Sequence, residues 1–205
     1  RLFPKDLVPV FSWLFLRGKC AYCGAPIAAR YPFVELLGGF TFLLSFNRYG
    51  ISLNFIIHAL LLCVMIVISF IDIDTMEIPD GSHFFILALA VGSYLINQPE
   101  LSSILLGGIV IALPLFLIAW LTHGGIGGGD IKLMAASGLF LGFANTLLAG
   151  IIGIIIGGFY AACLMLIKKR EGKSYMALGP FLALGISIAS LYGPQIIQAY
   201  LNLFF

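Results

Sequence analysis

Residues 53–80 read LNFIIHALLLCVMIVISFIDIDTMEIPD, and the first 19 of them contain no Asp, Glu, Lys or Arg. A helix needs about 20 mostly apolar residues to cross the roughly 30 Å of hydrocarbon in a bilayer. The apolar residues follow one another without the alternation of a half-buried strand. This stretch therefore predicts a membrane-spanning helix that ends at an acidic residue, Asp72.

The same kind of apolar run recurs along the chain. Of the 205 residues, 61% are hydrophobic and only 10% are charged, whereas a soluble domain has about 25% charged residues. The runs are continuous, which excludes a transmembrane β-barrel. We expect an all-α bundle of about seven membrane helices, within apolar segments at 32–47, 53–72, 81–97, 101–122, 131–143, 145–167 and 176–193.

The N-terminal stretch differs from these runs. Arg1–Lys19 is amphipathic and is interrupted by Pro4 and Pro9, which is typical of a segment that lies at the membrane surface. We predict two units: a cytoplasmic or interfacial N-terminal segment at 1–31, and a transmembrane domain at 32–205.

The basic residues give the orientation. If the segments alternate in direction, ten of the 11 Lys and Arg residues fall on one side and only Arg48 falls on the other. The richer side is cytoplasmic by the positive-inside rule; it carries Arg1, Lys5, Arg17, Lys19, Arg30, Lys132, Lys168, Lys169, Arg170 and Lys173. In the alternative threading, 131–143 is too short to span, and the asymmetry fails for 168–173. No basic block is long enough to indicate nucleic-acid binding.

Two aspartates reach the same predicted membrane face. Asp72 closes one apolar segment, and Asp130 opens another after the glycine run 127–129. Carboxyls at the apolar boundary are costly and are functional candidates by default. Two that meet in a poorly solvated place share a proton, so one can activate water while the other hydrogen-bonds a peptide carbonyl. The glycines allow close approach of an extended substrate strand.

The alternative to a catalytic role is that such acidic residues only cap helices or are solvated loop charges. We expect Asp80 to be a helix N-cap and Asp74 and Glu77 to be loop charges. The histidines are expected to be packed or hydrogen-bonded rather than catalytic, although His123 borders the glycine run and could influence Asp130.

Cysteines and small residues give two further predictions. Cys20 and Cys23 form a C-x-x-C, which is half of a four-cysteine zinc site; the other half is not in this sequence. Ala149, Gly153 and Gly157 recur every four positions, which predicts a close contact between two membrane helices.

Several motifs now occur in a recognisable order. The segment Gly127-Gly128-Gly129-Asp130 matches the G-x-G-D signature of intramembrane aspartyl proteases and continues into Ile131-Lys132. The chain resembles the type 4 prepilin leader peptidases (prepilin peptidase/N-methyltransferase family) over almost its whole length. The other matching motifs are Gly18-Lys19-Cys20-x-x-Cys23, Arg30-Tyr31-Pro32-x-x-Glu35, Asp72 followed by Ile78-Pro79-Asp80, and Gly179-Pro180-Phe181.

The resemblance implies an activity and a set of residues. It makes Asp72 and Asp130 the catalytic pair of a membrane aspartyl endopeptidase. This enzyme type cleaves the positively charged leader from type 4 prepilins and pseudopilins, just before their hydrophobic helix, in pilus and type II secretion systems. It implies a bacterial inner membrane location with the active site facing the cytoplasm. Supporting roles for substrate and loops fall on Gly127, Gly128, Gly129, Lys132, Pro79, Gly179 and Pro180.

Cofactors are expected only for a second activity. Proteolysis by two aspartates needs none, whereas the family's N-methylation of the new terminus uses S-adenosylmethionine, and Cys20 and Cys23 would bind zinc. The family's first membrane helix and first C-x-x-C pair are not in this sequence, so we expect an N-terminal part to be missing. Three alternatives stay open: a proton- or ion-coupled transporter that uses the aspartates, a membrane scaffold, and a preflagellin-type peptidase.

Overall fold

The computed structural model describes residue 3, residues 8–168 and residues 176–204. Within these ranges the chain is helical and contains no β-strand, apart from one isolated bridge between Lys19 and Pro26. The all-α prediction is confirmed. The helices are α1 (Phe11–Phe15), α2 (Arg30–Tyr49), α3 (Leu53–Thr75), α4 (Asp80–Asn97), α5 (Leu101–Val110), α6 (Ala112–Leu121), α7 (Gly128–Leu141), α8 (Phe143–Lys168) and α9 (Gly179–Phe204).

Four spans are long and apolar enough to cross a membrane. They are α3, the continuous pair α5 and α6, most of α8, and most of α9: Leu53–Thr75, Leu101–Leu121, Phe143–Leu166 and Gly179–Leu203. The prediction of a multi-pass membrane protein is confirmed. The count of seven membrane helices stays a prediction, because the described part of the chain gives four such spans and α7 has only 14 residues.

Successive long helices run in opposite directions, so each end of the bundle brings together a different set of helix termini. One end collects the C-terminus of α3 and the N-termini of α4, α7 and α9. The opposite end is tied by hydrogen bonds between the side-chain amides of Asn54 and Asn97 (3.0 Å) and from the Phe143 N–H to Ser103 Oγ (3.2 Å). The residues used for orientation that lie outside the described ranges are Arg1, Lys5, Lys169, Arg170 and Lys173.

Glycines let the helices around α7 and α9 approach closely. A Cβ added at Gly107 of α5 would lie 2.5 Å from the Gly138 carbonyl oxygen of α7, so these backbones touch. Between α8 and α9, Ala149 is fully buried and a Cβ at Gly153 would lie 3.0 Å from Leu182 Cα. The predicted small-residue contact is confirmed. These contacts fix α7 and α9, whose N-termini carry Asp130 and Gly179.

Candidate active site

Asp72 lies in the last turn of α3 and is only 5% exposed. Its Oδ2 accepts a hydrogen bond of 2.9 Å from the backbone N–H of Gly179, the first residue of α9. The N-terminus of a helix carries a partial positive charge that favours a nearby carboxylate. A Cβ at position 179 would lie 2.6 Å from the same oxygen. Gly179 therefore both stabilises and makes room for the Asp72 carboxyl group.

Asp130 is the third residue of α7 and is 9% exposed. Its Oδ2 lies 3.1 Å from the place where a Cβ of Gly127 would be, and its buried Oδ1 has no hydrogen-bond partner among the described residues. Asp72 is close enough to affect Asp130 electrostatically. Because buried polar atoms are nearly always paired, the lone Oδ1 indicates a group kept available for a ligand.

The two aspartates share one cavity of about 300 Å³. Four carboxyl groups and one ammonium group line the cavity. The ammonium group, on Lys132, is bound to Asp80 at 2.7 Å, so it does not neutralise the other three carboxyl groups. The lining residues are Asp72, Met76, Glu77, Ile78, Asp80, Gly127, Gly128, Gly129, Asp130 and Lys132. An acidic cavity of this kind attracts a cationic segment of a substrate.

The turn between α3 and α4 forms one wall of this cavity. Helix α3 ends at Thr75, and its C-cap residue Met76 has the left-handed φ of 56° and donates its N–H to the Asp72 carbonyl (2.9 Å). Pro79 occupies the N-cap position of α4 in an extended conformation and restricts Ile78 to extended backbone as well. The Ile78 side chain packs between Gly129 and Gly179. It lies 3.1 Å from a Cβ built at Gly129 and 3.3 Å from one built at Gly179.

The glycine run forms the opposite wall, and its spacing follows from these contacts. A Cβ would meet Asp130 at Gly127 and Ile78 at Gly129, but nothing within 4 Å at Gly128. The first and third positions of G-x-G-D therefore need glycine, whereas the second position has room for a side chain.

Helix α4 is joined to the N-terminus of α7 by two polar contacts. His83 is 6% exposed, and its Nε2 lies 3.2 Å from the carbonyl oxygen of Gly129, the residue before Asp130. Because a carbonyl only accepts, this ring nitrogen carries the proton. The second contact is the exposed ion pair between Asp80 and Lys132. The prediction of Asp80 as an N-cap is wrong, because Pro79 holds that position and no side-chain cap bond forms.

Two residues of this region have partners that the sequence did not show. The prediction that His83 is packed or hydrogen-bonded is confirmed, and its partner is the backbone of the glycine run. Its position three residues after Asp80 places both on one face of α4, and this spacing was the available signal. Arg30, at the start of α2, donates to the Phe70 carbonyl (3.2 Å) and pairs with Asp74 (2.7 Å), which fastens α2 to the last turn of α3.

The remaining predicted residues lie elsewhere. Pro180 is the second residue of α9 and lies beside the cavity rather than in its wall. His58 packs against the rings of Tyr49 (4.2 Å) and Phe140 (5.2 Å), as expected for a packed histidine. His123 is exposed in the loop before the glycine run and does not line the cavity.

Cys20 and Cys23 lie in the loop before α2, where the Cys20 N–H donates to the Ala25 carbonyl (2.8 Å). Across residue 3, residues 8–168 and residues 176–204, no three His, Cys, Asp or Glu side chains gather as a metal site. Two thiolates do not make the four-ligand sphere of structural zinc. Zinc binding stays a prediction.

Comparisons with known proteins find related family models for both the N-terminal part and the central part of the chain. The model of the Type IV leader peptidase family matches residues 59–162, and that of the Bacterial Peptidase A24 N-terminal domain matches residues 1–49. A Prepilin leader peptidase/N-methyltransferase of Bacillus subtilis (strain 168) is 35% identical, over 98% of this chain and 82% of the relative. One from Aeromonas hydrophila is 34% identical, over 96% and 70%. No solved structure is significantly similar.

Proposed function

The chain belongs to the type IV leader peptidase family, and from that membership we propose that Asp72 and Asp130 are the catalytic pair of this membrane endopeptidase. The protein is a protease of the prepilin peptidase type. The observation that carries the assignment is one cavity, at one end of the bundle, in which both carboxyl groups are at least nine-tenths buried. No observation favours an ion-coupled transporter.

The two carboxyl groups differ in their surroundings, and this difference assigns their roles. Asp72 receives the Gly179 N–H at the start of α9, and hydrogen bonds to the charged form of a carboxyl stabilise that form. Asp130 Oδ1 receives none from the residues that the structure describes. We therefore assign the negative charge to Asp72 and the shared proton to Asp130.

Peptide hydrolysis follows from these roles. Asp72 removes a proton from a water molecule as that water attacks the scissile carbonyl carbon, and Asp130 donates a hydrogen bond to the carbonyl oxygen. The tetrahedral intermediate collapses when the C–N bond breaks, and Asp72 passes the proton that it took from water to the leaving nitrogen. No covalent enzyme intermediate forms, and no cofactor takes part.

The substrate is the leader of a prepilin or pseudopilin, and its positive charge matches the acidic cavity. We place this cavity at the cytoplasmic face of a bacterial inner membrane, because the described residues Arg17, Lys19, Arg30 and Lys132 precede or begin helices at that end. The names of the relatives also include N-methyltransferase. For this protein, methylation from S-adenosylmethionine and zinc at Cys20 and Cys23 stay predictions for the intact chain.

The test is separate replacement of each aspartate. Asp72→Asn and Asp130→Asn keep size and hydrogen bonding but cannot share the proton, so each should abolish cleavage of a prepilin in detergent or liposomes. Glu100→Gln is the control, because Glu100 is exposed at the opposite end of the bundle and does not line the cavity. Cleavage by either of the first two variants would refute the assignment. The wild type should give a bell-shaped pH–rate profile with two apparent pKa values that belong to the pair.

A further inference from the structure

A second cavity, of about 380 Å³, lies between α2, α3 and α9 and is almost entirely apolar. It does not contain either aspartate. Its walls include Leu37 and Phe40 of α2, Met65 and Ser69 of α3, and Ala183 and Ser187 of α9. Two of these helices, α3 and α9, are among the spans that are long and apolar enough to cross a membrane.

The groove exists because α2 is fastened to different partners at its two ends. Far from the aspartates, Arg48 Nε and Tyr49 Oη donate to the carbonyls of Leu191 and Ser190 on α9, at 2.9 and 2.8 Å. At the aspartate end, Arg30 binds α3 instead. Helices α2 and α9 therefore meet at one end of the bundle and diverge toward the active site.

The side chains that line the groove favour an apolar ligand. The hydroxyl groups of Thr41, Ser69 and Ser187 each donate to a carbonyl of their own helix, at 2.7 Å. They are satisfied and do not need a polar ligand. Ala183 and Ser187 lie four residues apart on α9, and small residues at this spacing let another helix approach closely.

The groove leads to the catalytic end of the bundle. Ser69 lies three residues before Asp72, on the same face of α3, and Pro180 in the groove wall follows Gly179, which binds Asp72. A chain that leaves the acidic cavity past Asp72 and enters the membrane therefore meets the groove next. The acidic cavity fits a cationic segment, and the groove fits an apolar helix that continues from it.

We propose that this groove docks the apolar helix that follows the scissile bond in the prepilin substrate. The proposal rests on the proposed function, because it takes Asp72 as the point where the substrate crosses from leader to helix. The cavity is too small for a whole helix, so it receives side chains from one face of the substrate helix. This docking positions the peptide bond beside the aspartates and selects substrates whose apolar helix begins directly after the leader.

The experiment measures binding of a labelled full-length prepilin to the non-cleaving Asp72→Asn variant in liposomes. Adding Ser187→Phe fills the groove and should raise Kd by about tenfold, as expected for loss of roughly one buried apolar contact. Leu37→Ala, which enlarges the groove and disturbs packing less, should raise Kd in the same direction. Ala162→Phe on the exposed face of α8 is the matched control and should leave Kd within about twofold.

The outcomes separate the groove from the catalytic assignment. Cleavage by Asp72→Asn itself would defeat the proposed function. An unchanged Kd in Ser187→Phe and Leu37→Ala would defeat the groove, and loss of co-purifying phospholipid with unchanged Kd would identify a lipid acyl chain as the occupant. If Ser187→Phe fails to give a folded protein by circular dichroism, Leu37→Ala decides alone.

Discussion

At the scale of single residues, the site depends on backbone groups as much as on the two carboxyls. The Gly179 N–H binds Asp72, and the Gly129 carbonyl is held by His83. Side chains at either glycine would enter space that Asp72 or Ile78 already fills. These contacts set the positions of the carboxyl groups, and the addition of one methyl group would disturb them.

Gly179→Ala tests the contact with Asp72. The new Cβ would lie 2.6 Å from Asp72 Oδ2, so the carboxyl group must move, and misplacement by about 1 Å can cost roughly 100-fold in rate. We expect kcat for prepilin cleavage to fall by about 10- to 100-fold with the helical content unchanged. Gly158→Ala is the control, because a Cβ there meets nothing within 4 Å. Equal kcat values for the two variants would contradict this account.

Two adjacent residues of the glycine run, Gly128 and Gly129, should respond differently to the same substitution. Gly128→Ala should retain kcat within about twofold, because the added Cβ has open space. Gly129→Ala should lower kcat by about tenfold or more, because Ile78 must give way and Asp130 shifts with the backbone. Steady-state cleavage of the same prepilin measures both. The opposite order of the two effects would show that the G-x-G-D spacing has another origin.

At the scale of elements, the contact between α4 and α7 combines a buried and an exposed interaction. The Asp80–Lys132 pair is 65% and 59% exposed at its two side chains, and exposed ion pairs contribute about 0–1 kcal/mol. The bond from His83 to Gly129 is largely buried. Losing such a hydrogen bond costs about 0.5–1.5 kcal/mol. The buried bond should therefore dominate.

This ranking predicts the outcome of two substitutions. His83→Phe keeps an aromatic ring but removes the donor, and it should lower both the free energy of unfolding in mixed micelles and kcat. Lys132→Met should lower the free energy of unfolding by less than His83→Phe does, because solvent screens an exposed ion pair. A larger loss in Lys132→Met than in His83→Phe would show that the ion pair, and not the histidine, fixes the start of α7.

The elements themselves were predictable from local sequence, and their long-range partners were not. The run at 53–72 gave α3 nearly to its end at Thr75, because continuous apolar residues mark a membrane helix directly. The last segment was predicted to end at 193, whereas α9 continues through Pro194 to Phe204. Neighbouring helices in a membrane protein can satisfy the backbone groups that a proline frees, and a local pattern does not show those neighbours.

The site shows the same limit. Asp72 and Asp130 were identified because acids in apolar runs are rare, and the motifs around them were local. The role of Asp80 was missed because its partner, Lys132, is 52 residues away. His83 was expected to be packed or hydrogen-bonded, but its partner was not predicted for the same reason, since Gly129 is 46 residues away. Spacing along one helix predicts which residues share a face but not what that face meets.

At the scale of the whole molecule, polar contacts join the helices at both ends of the bundle, but the two ends differ in what they enclose. The end away from the aspartates has hydrogen bonds between neighbouring helices, such as the Asn54–Asn97 amide pair and the contact of Arg48 with α9. The aspartate end contains the acidic cavity and is adjoined by the apolar groove. A substrate held by the cavity and the groove therefore does not require the hydrogen bonds at the first end to break.

This arrangement requires opposite membrane faces for Cys23 and Pro99. Cys23 lies in the exposed loop before α2, at the aspartate end, and Pro99 lies in the exposed turn between α4 and α5. With Cys63 and Cys163 replaced by Ser, a membrane-impermeant maleimide should label Pro99→Cys (also lacking Cys20 and Cys23) in intact cells. It should label Cys23 only in inverted vesicles. Labelling of both from one side would contradict the alternation of the helices, and labelling of Cys23 from outside would place the aspartates on the wrong face for a cytoplasmic leader.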